Sequence, residues 1–322
     1  MASTKREPGM IFLKQQNMIV EEALGTRMFD EPPKREPCDI TVADFDDVKF
    51  KVVVAPANPA FVAVHISLGA IGAKIKTDYF GQEVIEATFP GMTLDPEAGF
   101  DFAVGVDLDS VKEEDKSALL YKISSLRRYL LGAPFIKAFQ GVQKGDGATL
   151  PFMVMETRSK EAVFIKPGND RCTTVFSFNF SDETDNAIAR VMLQQFAKES
   201  AKVNGAPPCQ YAESKNPPLE IRDAPKLSQY ADGCGFISFV IFASHLNKPE
   251  KFDKVVTMQA NFRNYLHYHI KASKTYLHMR MRKKVGGWLQ ALNRSHHDKT
   301  DGEKGTKTAS GKTFKRSAAV AK

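Results

Sequence analysis

The sequence predicts an α+β protein: a tandem duplication of a mixed sheet-plus-helices unit (strands, helix, strands, long helix), closed by a very long C-terminal α-helix and a basic flexible tail. Three observations carry that prediction. Apolar runs of period two, bounded by turn residues, alternate with segments of helical period. The order of these elements repeats in the second half of the chain. Apolar residues at steps of three and four then persist over 249–292.

From the start, residues 10–24 read as an amphipathic helix with Ile11, Met18, Ile19 and Leu24 apolar and Glu21 and Glu22 outward. A proline-rich charged loop over 30–37 precedes strand-like runs at 40–45, 48–54 and 61–68. In the last, Phe61, Ala63, His65 and Ser67 alternate with Val62, Val64, Ile66 and Leu68. A helical segment over 70–85 leads to strands at 88–94 and 100–108. A helix over 113–139 follows, kinked or broken by Pro134. The Gly-rich polar stretch 141–149 marks a domain boundary.

Beyond it the order recurs. Strands are expected at 151–156, 162–166 and 172–180, the last setting Phe176, Phe178 and Phe180 against Val175, Ser177 and Asn179. Asp182, Glu183 and Asp185 open a helix and suit its dipole, with Ile188, Val191, Met192 and Phe196 as its buried face. After a loop with Pro207, Pro208, Pro217 and Pro218 come strands at 219–222 and 236–242. Gly99-Phe100 aligns with Gly235-Phe236 at an offset of 136, and Arg127-x-Tyr129-Leu130 aligns with Arg263-x-Tyr265-Leu266 at the same offset. The domains implied are 10–140, 150–295 and a tail, 296–322.

In the terminal helix one side carries Phe252, Val255, Met258 or Gln259, Phe262, Tyr265 with Leu266, His269, Ser273, Tyr276 with Leu277, Met281, Val285, Trp288 and Leu292. Pro249 is tolerated in a first turn, with Asn247 or Lys248 as the cap. The 44 residues over 249–292 would span about 66 Å, several times the mean helix. Such a helix must lie across more than its own domain.

Composition narrows the classes. At 322 residues, 43% hydrophobic and 26% charged, there is room for about two domains and a sizeable core, which excludes wholesale disorder. The longest apolar run, 236–243, has the length of a buried strand and not of a membrane span. Residues 1–9 are polar and carry no secretory pattern. Cys38, Cys172, Cys209 and Cys234 lie far apart without C-x-x-C pairs, which suits a reducing cytosol and argues against structural zinc. The net charge of +7 is uneven: residues 271–322 hold 14 basic and 3 acidic residues, the remainder 31 and 35. That patch seeks an anionic surface: nucleic acid, membrane or an acidic protein such as a filament.

Several motifs dissolve on inspection. Residues 305–313 have five residues between Gly305 and Gly311-Lys312-Thr313 where a phosphate loop needs four, and no flanking strand and helix. His267 and His269 stand about 200° apart around a helix, and His278 lies about two and a half turns past His269, so they cannot share an ion. They read as polar or packed histidines. Asp44, Asp46 and Asp47 lack the glycine and the final glutamate of a calcium loop and read as turn residues between strands. Without a G-x-S-x-G elbow, a dinucleotide fingerprint or a cysteine-nucleophile signature, no catalytic, cofactor-binding or metal residue is assigned. What remains is the basic helix end, Arg280, Arg282, Lys283, Lys284, Trp288 and Arg294. These make a broad collar, in which Gly286-Gly287 loosens the helix by about 1 kcal/mol per glycine. The collar is either a solvated face or a docking surface for something acidic.

The run from Asn261 through Asn-Tyr-Leu-His-Tyr-His-Ile-Lys to Arg282 resembles the C-terminal helix of the actin-related protein 2/3 complex subunit 2 family, the 34 kDa subunit of the assembly that nucleates branched actin filaments. The resemblance extends through Leu292-Asn293-Arg294 and 308–314, and upstream to 19–24, 41–46 and 217–223. It implies a non-enzymatic scaffold without cofactor. In that family two tandem α+β domains pair with the 20 kDa subunit 4 through long C-terminal helices. The pair holds the actin-related proteins within a seven-member complex and lies against the mother actin filament. Carried onto this chain, Phe262, Tyr265, Leu266, His269, Tyr276 and Leu277 would face subunit 4. Arg280, Arg282, Lys283, Lys284 and Arg294, with Arg158, Lys166 and Arg171 of the second domain, would meet the filament. The implied location is the cytoplasmic actin cytoskeleton, in cell projections or actin patches. Residues 1–9 and the loops 141–149 and 204–232 depart from the family pattern.

The rival is a basic module for nucleic acid or anionic membrane. It would need aromatics interleaved with the basic residues, or a strongly amphipathic basic helix. Here the aromatics follow the apolar side, Trp288 being the candidate exception. Neither nucleic-acid binding nor stable membrane insertion is therefore expected.

Overall fold

The structure is a computed structural model that describes residues 14–31, 33, 35–230, 232–295, 306–307 and 313–314. Asn17 opens the first helix, α1 (Met18–Phe29), by accepting from the backbone N–H groups of Ile19 and Val20. The helix so capped starts eight residues later and ends five residues later than the expected 10–24. Its buried face is Val20, Ala23, Leu24, Arg27 and Met28, while Met18 and Ile19 are exposed; Ile11 lies outside the described residues.

Strands β1 (Cys38–Ala43), β2 (Lys49–Val54) and β3 (Phe61–Ser67) follow as expected within a residue or two. The β1–β2 turn carries Asp46 and Asp47, both at positive φ (61° and 59°). The helical stretch over 70–85 is divided into α2 (Gly72–Thr77) and α3 (Gly81–Thr88) by Phe80, whose φ of 62° cannot continue a helix. Thr88 therefore ends a helix instead of starting a strand, and β4 is only Thr93–Leu94. β5 (Phe102–Asp107) completes an antiparallel sheet in the order β1-β2-β3-β5-β4. The expected helix over 113–139 is three pieces, α4 (Glu113–Ser124), α5 (Leu126–Leu131) and α6 (Ala133–Lys144). Pro134 sits in the first turn of α6, where its missing N–H is harmless. The earlier break accompanies Ser124, whose hydroxyl donates to the Leu120 carbonyl, a back-bond that bends helices.

The second sheet repeats the first. β6 (Met153–Arg158), β7 (Glu161–Pro167), β8 (Arg171–Phe178), β9 (Cys209–Ala212) and β10 (Gly235–Phe242) pair antiparallel in the order β6-β7-β8-β10-β9. The edge strand is not the expected 219–222, which forms a 3-10 turn, Leu219–Ile221. Pro217 and Pro218 remove two ladder donors there, whereas Cys209–Ala212 supplies its own and pairs with Phe236–Phe239. Between β8 and β9 lies α7 (Glu183–Ser200), capped by Asp182. Its buried positions are Asp185, Ala189 and Leu193, with Ile188, Met192 and Phe196 packed at the margin; Val191 is exposed, contrary to expectation.

The terminal helix α8 (Pro249–Ser295) spans 47 residues, and the Lys248 carbonyl accepts from Phe252 N at its start. The chain forms two compact units, Met1–Lys271 and Ala272–Lys322. Within the first, one continuous apolar core runs through both sheets. A smaller cluster on the other face of the second sheet joins Phe164, Val175 and Phe236 to Ile221, Ala224 and Tyr230. In the tail, β11 (Thr306–Lys307) and β12 (Thr313–Phe314) pair antiparallel; its other residues beyond Ser295, and with them the expectation of a flexible tail, lie outside the described residues.

Candidate functional site

Up to Ile270 the long helix is a core element. Phe262 stands at 5.0–5.3 Å ring-centroid distance from Phe239, Phe176 and Phe196, and Val256, Leu266 and Ile270 are likewise buried. Each such side chain contributes about 1.5–3 kcal/mol by leaving water. Phe262 packs against this chain's own second sheet and α7, and Leu266 is buried too, so both side chains lie in this chain's own core. Tyr265 and His269 are half-buried, their rings 4.2 Å apart.

The same stretch carries a buried ionic network absent from the site expected from sequence. Arg263 Nε donates to Glu161 Oε2 at 3.0 Å, and its Nη1 lies 2.9 Å from Asp46 Oδ1. His267 Nε2 lies 3.2 Å from Glu161 Oε1, which also accepts from Asn179 N. Arg158 closes the far side, donating to Asp46 at 2.8 Å. Burial alone would raise both carboxyls. At Asp46 the guanidiniums of Arg263 and Arg158 outweigh it and hold the group below its ordinary value; at Glu161 the bond from His267 and the charge of Arg263 do the same. The network bolts the β1–β2 turn of the first repeat to β7 and α8 of the second. Arg127, the residue aligned with Arg263, is also buried and meets Asp44 of the same turn at 3.3 Å. Arg128 ties α5 to α8 through Asp253 and Thr257. The constant-offset match of Arg127 with Arg263 was the signal in the sequence for this pairing.

From Ala272 onward the helix has a different character. Tyr276, Leu277, Met281, Val285, Trp288, Leu289 and Leu292 are all exposed, and Met281 reaches 65%. At about 100° per residue, Leu277, Met281, Val285, Trp288 and Leu292 fall within an arc of about 80°, one exposed apolar stripe. Most of the basic residues lie off it: Arg282, Lys283 and Arg294 lie around the other sides and Arg280 packs over the Tyr276 ring (5.6 Å), while Lys284 borders the stripe with its ammonium over Trp288 (5.4 Å). All five basic residues of this end are exposed.

The basic residues of the second sheet do not converge. Arg158 sits at the β6–β7 turn, engaged with Asp46. Lys166 and Arg171 flank the β7–β8 turn, at the opposite end of β7 and so about 15–20 Å away. Lys166 donates to the Glu220 carbonyl and Arg171 lies 4.0 Å from Asp170. The turn reading of Asp44, Asp46 and Asp47 holds, and His267 packs on Phe180 at 4.6 Å. Among the described residues no group of three or more His, Cys, Asp or Glu is placed to hold a metal, and no helix is long and apolar enough to cross a membrane.

Comparison with known proteins follows the same lines. Residues 66–299 match the family described as the Arp2/3 complex, 34 kD subunit p34-Arc. The chain is 33% identical over 327 residues to actin-related protein 2/3 complex subunit 2 of Schizosaccharomyces pombe, covering 95% of this chain and 100% of the relative. It is 32% identical over 275 residues to the protein of the same name in Dictyostelium discoideum, covering 85% of this chain and 89% of the relative.

Proposed function

The chain belongs to the p34-Arc family of Arp2/3 complex subunits, and from that premise we propose that it acts as a non-catalytic structural subunit whose distal helix is its main assembly surface. The observation that carries the proposal is the exposed apolar stripe of Leu277, Met281, Val285 and Trp288. A water-facing row of Leu, Met, Val and Trp several turns long costs solubility unless a partner covers it. The partner we assign is subunit 4, presenting a long helix of its own, with Tyr276, Leu277, Met281 and Trp288 as anchors in place of Phe262 and Leu266. The remaining subunits of the complex assemble around that pair, in the cytoplasmic actin cytoskeleton and at its actin patches or cell projections.

The basic collar of Arg280, Arg282, Lys283, Lys284 and Arg294 is the proposed contact to the side of the mother actin filament, with Lys166 and Arg171 as candidates from the second sheet. Arg158 is a poorer candidate, since Asp46 already holds it. Exposed ion pairs are individually worth less than about 1 kcal/mol, so the collar acts through number and long-range steering. The rival nucleic-acid or membrane reading draws no support from the family match. Co-purification decides: Leu277→Asp with Trp288→Asp should strip subunit 4 from the chain, whereas full recovery of the complex would refute the assignment.

A further inference from the structure

The two repeats meet around a cavity of about 90 Å³, bordered by the β1–β2 turn, α5, α6, strands of the second sheet and the buried part of α8. Its walls are largely apolar, with Leu131, Phe135, Val163 and Phe176 among them. One corner is polar and holds Asp46, Asp47, Gln259 and Arg263. Gln259 is 1% exposed and Arg263 7% exposed. The Gln259 carbonyl oxygen accepts from Thr174, and Arg263 is engaged through Nε and Nη1, but Gln259 Nε2 and Arg263 Nη2 are buried without a protein partner. Two such donors, about one helical turn apart on α8, are costly, since each buried group without a partner loses its hydration for nothing. Something with an acceptor atom satisfies them.

The charges around the corner say what kind of acceptor. Asp46, Asp47 and Glu161 stand against Arg263 and Arg158, and Asp46 and Glu161 are held in their ionised form. Asp46 and Glu161 already neutralise Arg263 and Arg158, and the exposed Asp47 adds negative charge at the rim, so an anion would find no uncompensated positive charge. We propose that this cavity binds a small neutral carboxamide with a ring-sized apolar body. Its carbonyl would accept from Gln259 and Arg263, its N–H would donate to the Asp46 and Asp47 corner, and its body would lie among Phe135, Phe176 and Val163. The volume is well below the roughly 300–1,000 Å³ of sites for larger ligands, so a single ring is the limit. Because the walls come from both repeats, such a ligand would tie one to the other.

Benzamide and benzoate have the same shape and differ in charge, so the purified complex titrated with each by calorimetry tests the proposal. Saturable benzamide binding at least about tenfold tighter than benzoate is expected. Gln259→Leu should weaken benzamide about tenfold, the loss of one such hydrogen bond. Ala260→Leu, which fills the cavity from α8, should abolish it. Crystals soaked in benzamide should show the ring packed against Phe135, Phe176 and Val163. Absence of saturable benzamide binding to the parent complex, equal binding of benzoate, or water alone in the soaked cavity would overturn the proposal, and all three are read without relying on a variant that might misfold.

Discussion

The two halves of α8 make an instructive contrast. Phe262 and Leu277 lie on the same side of one unbroken helix, about sixty degrees apart in projection, and both are large and apolar. Phe262 is 4% exposed, within 6.1 Å of four other phenylalanine rings; Leu277 is 48% exposed. Polar residues divide the same way. Arg263 and Gln259 are buried in a network and a cavity, while Arg282 and Lys283 face water. A continuous hydrophobic period therefore records a continuous need for cover and not a single source of it. The near half is covered by this chain; the far half is exposed.

The contrast can be broken at its near end with the largest effect. Arg263→Met would leave buried Glu161 with His267 alone and Asp46 with the half-exposed Arg158 alone, and should cost up to about 3–5 kcal/mol of stability, read by chemical denaturation of the complex. Phe262→Ala should cost a comparable 3–5 kcal/mol through the cavity left among the phenylalanines. Acid should act through the same network. Because the folded pKa values of Asp46 and Glu161 lie below their ordinary values, the unfolded chain binds more protons between the two. The contribution is complete above the ordinary carboxylate range and is lost as pH falls through the folded values. Denaturation midpoints followed from pH 6 down to pH 3 should fall steeply in the parent and less so in Glu161→Gln.

At the far end the expected effects on the chain's own stability are small. Leu277→Asp or Trp288→Asp should change its melting free energy by less than about 0.5 kcal/mol, yet abolish recovery of subunit 4. Subtler still is reversal of Arg282, Lys283 and Arg294 to Glu: assembly should be complete, with branch formation on filaments reduced and the deficit shrinking as salt is raised. Normal branching by that variant at physiological salt would place the filament contact elsewhere.

Much of the architecture is legible in the sequence. The offset of 136 aligned Gly99 with Gly235, and both adopt positive φ, 89° and 130°, conformations that an L side chain resists. It aligned Arg127 with Arg263, and both run to the turn at Asp44–Asp46. The edge strand at Cys209–Ala212 was not readable because the run Leu219-Glu-Ile has the better strand composition; only the missing donors of Pro217 and Pro218 argue against it. Glu161 could not be united with Arg263 from sequence, since they stand 102 positions apart and neither has a local pattern. Nor does periodicity distinguish Phe262 from Leu277, because it detects a face without detecting what lies against it.

Amide hydrogen exchange along α8, in the chain alone and in the complex, tests the division most directly. The account predicts slow exchange over 256–270 in both states, and fast exchange over 274–292 that becomes slow only when subunit 4 is bound. Equal protection of the distal segment with and without subunit 4 would contradict it.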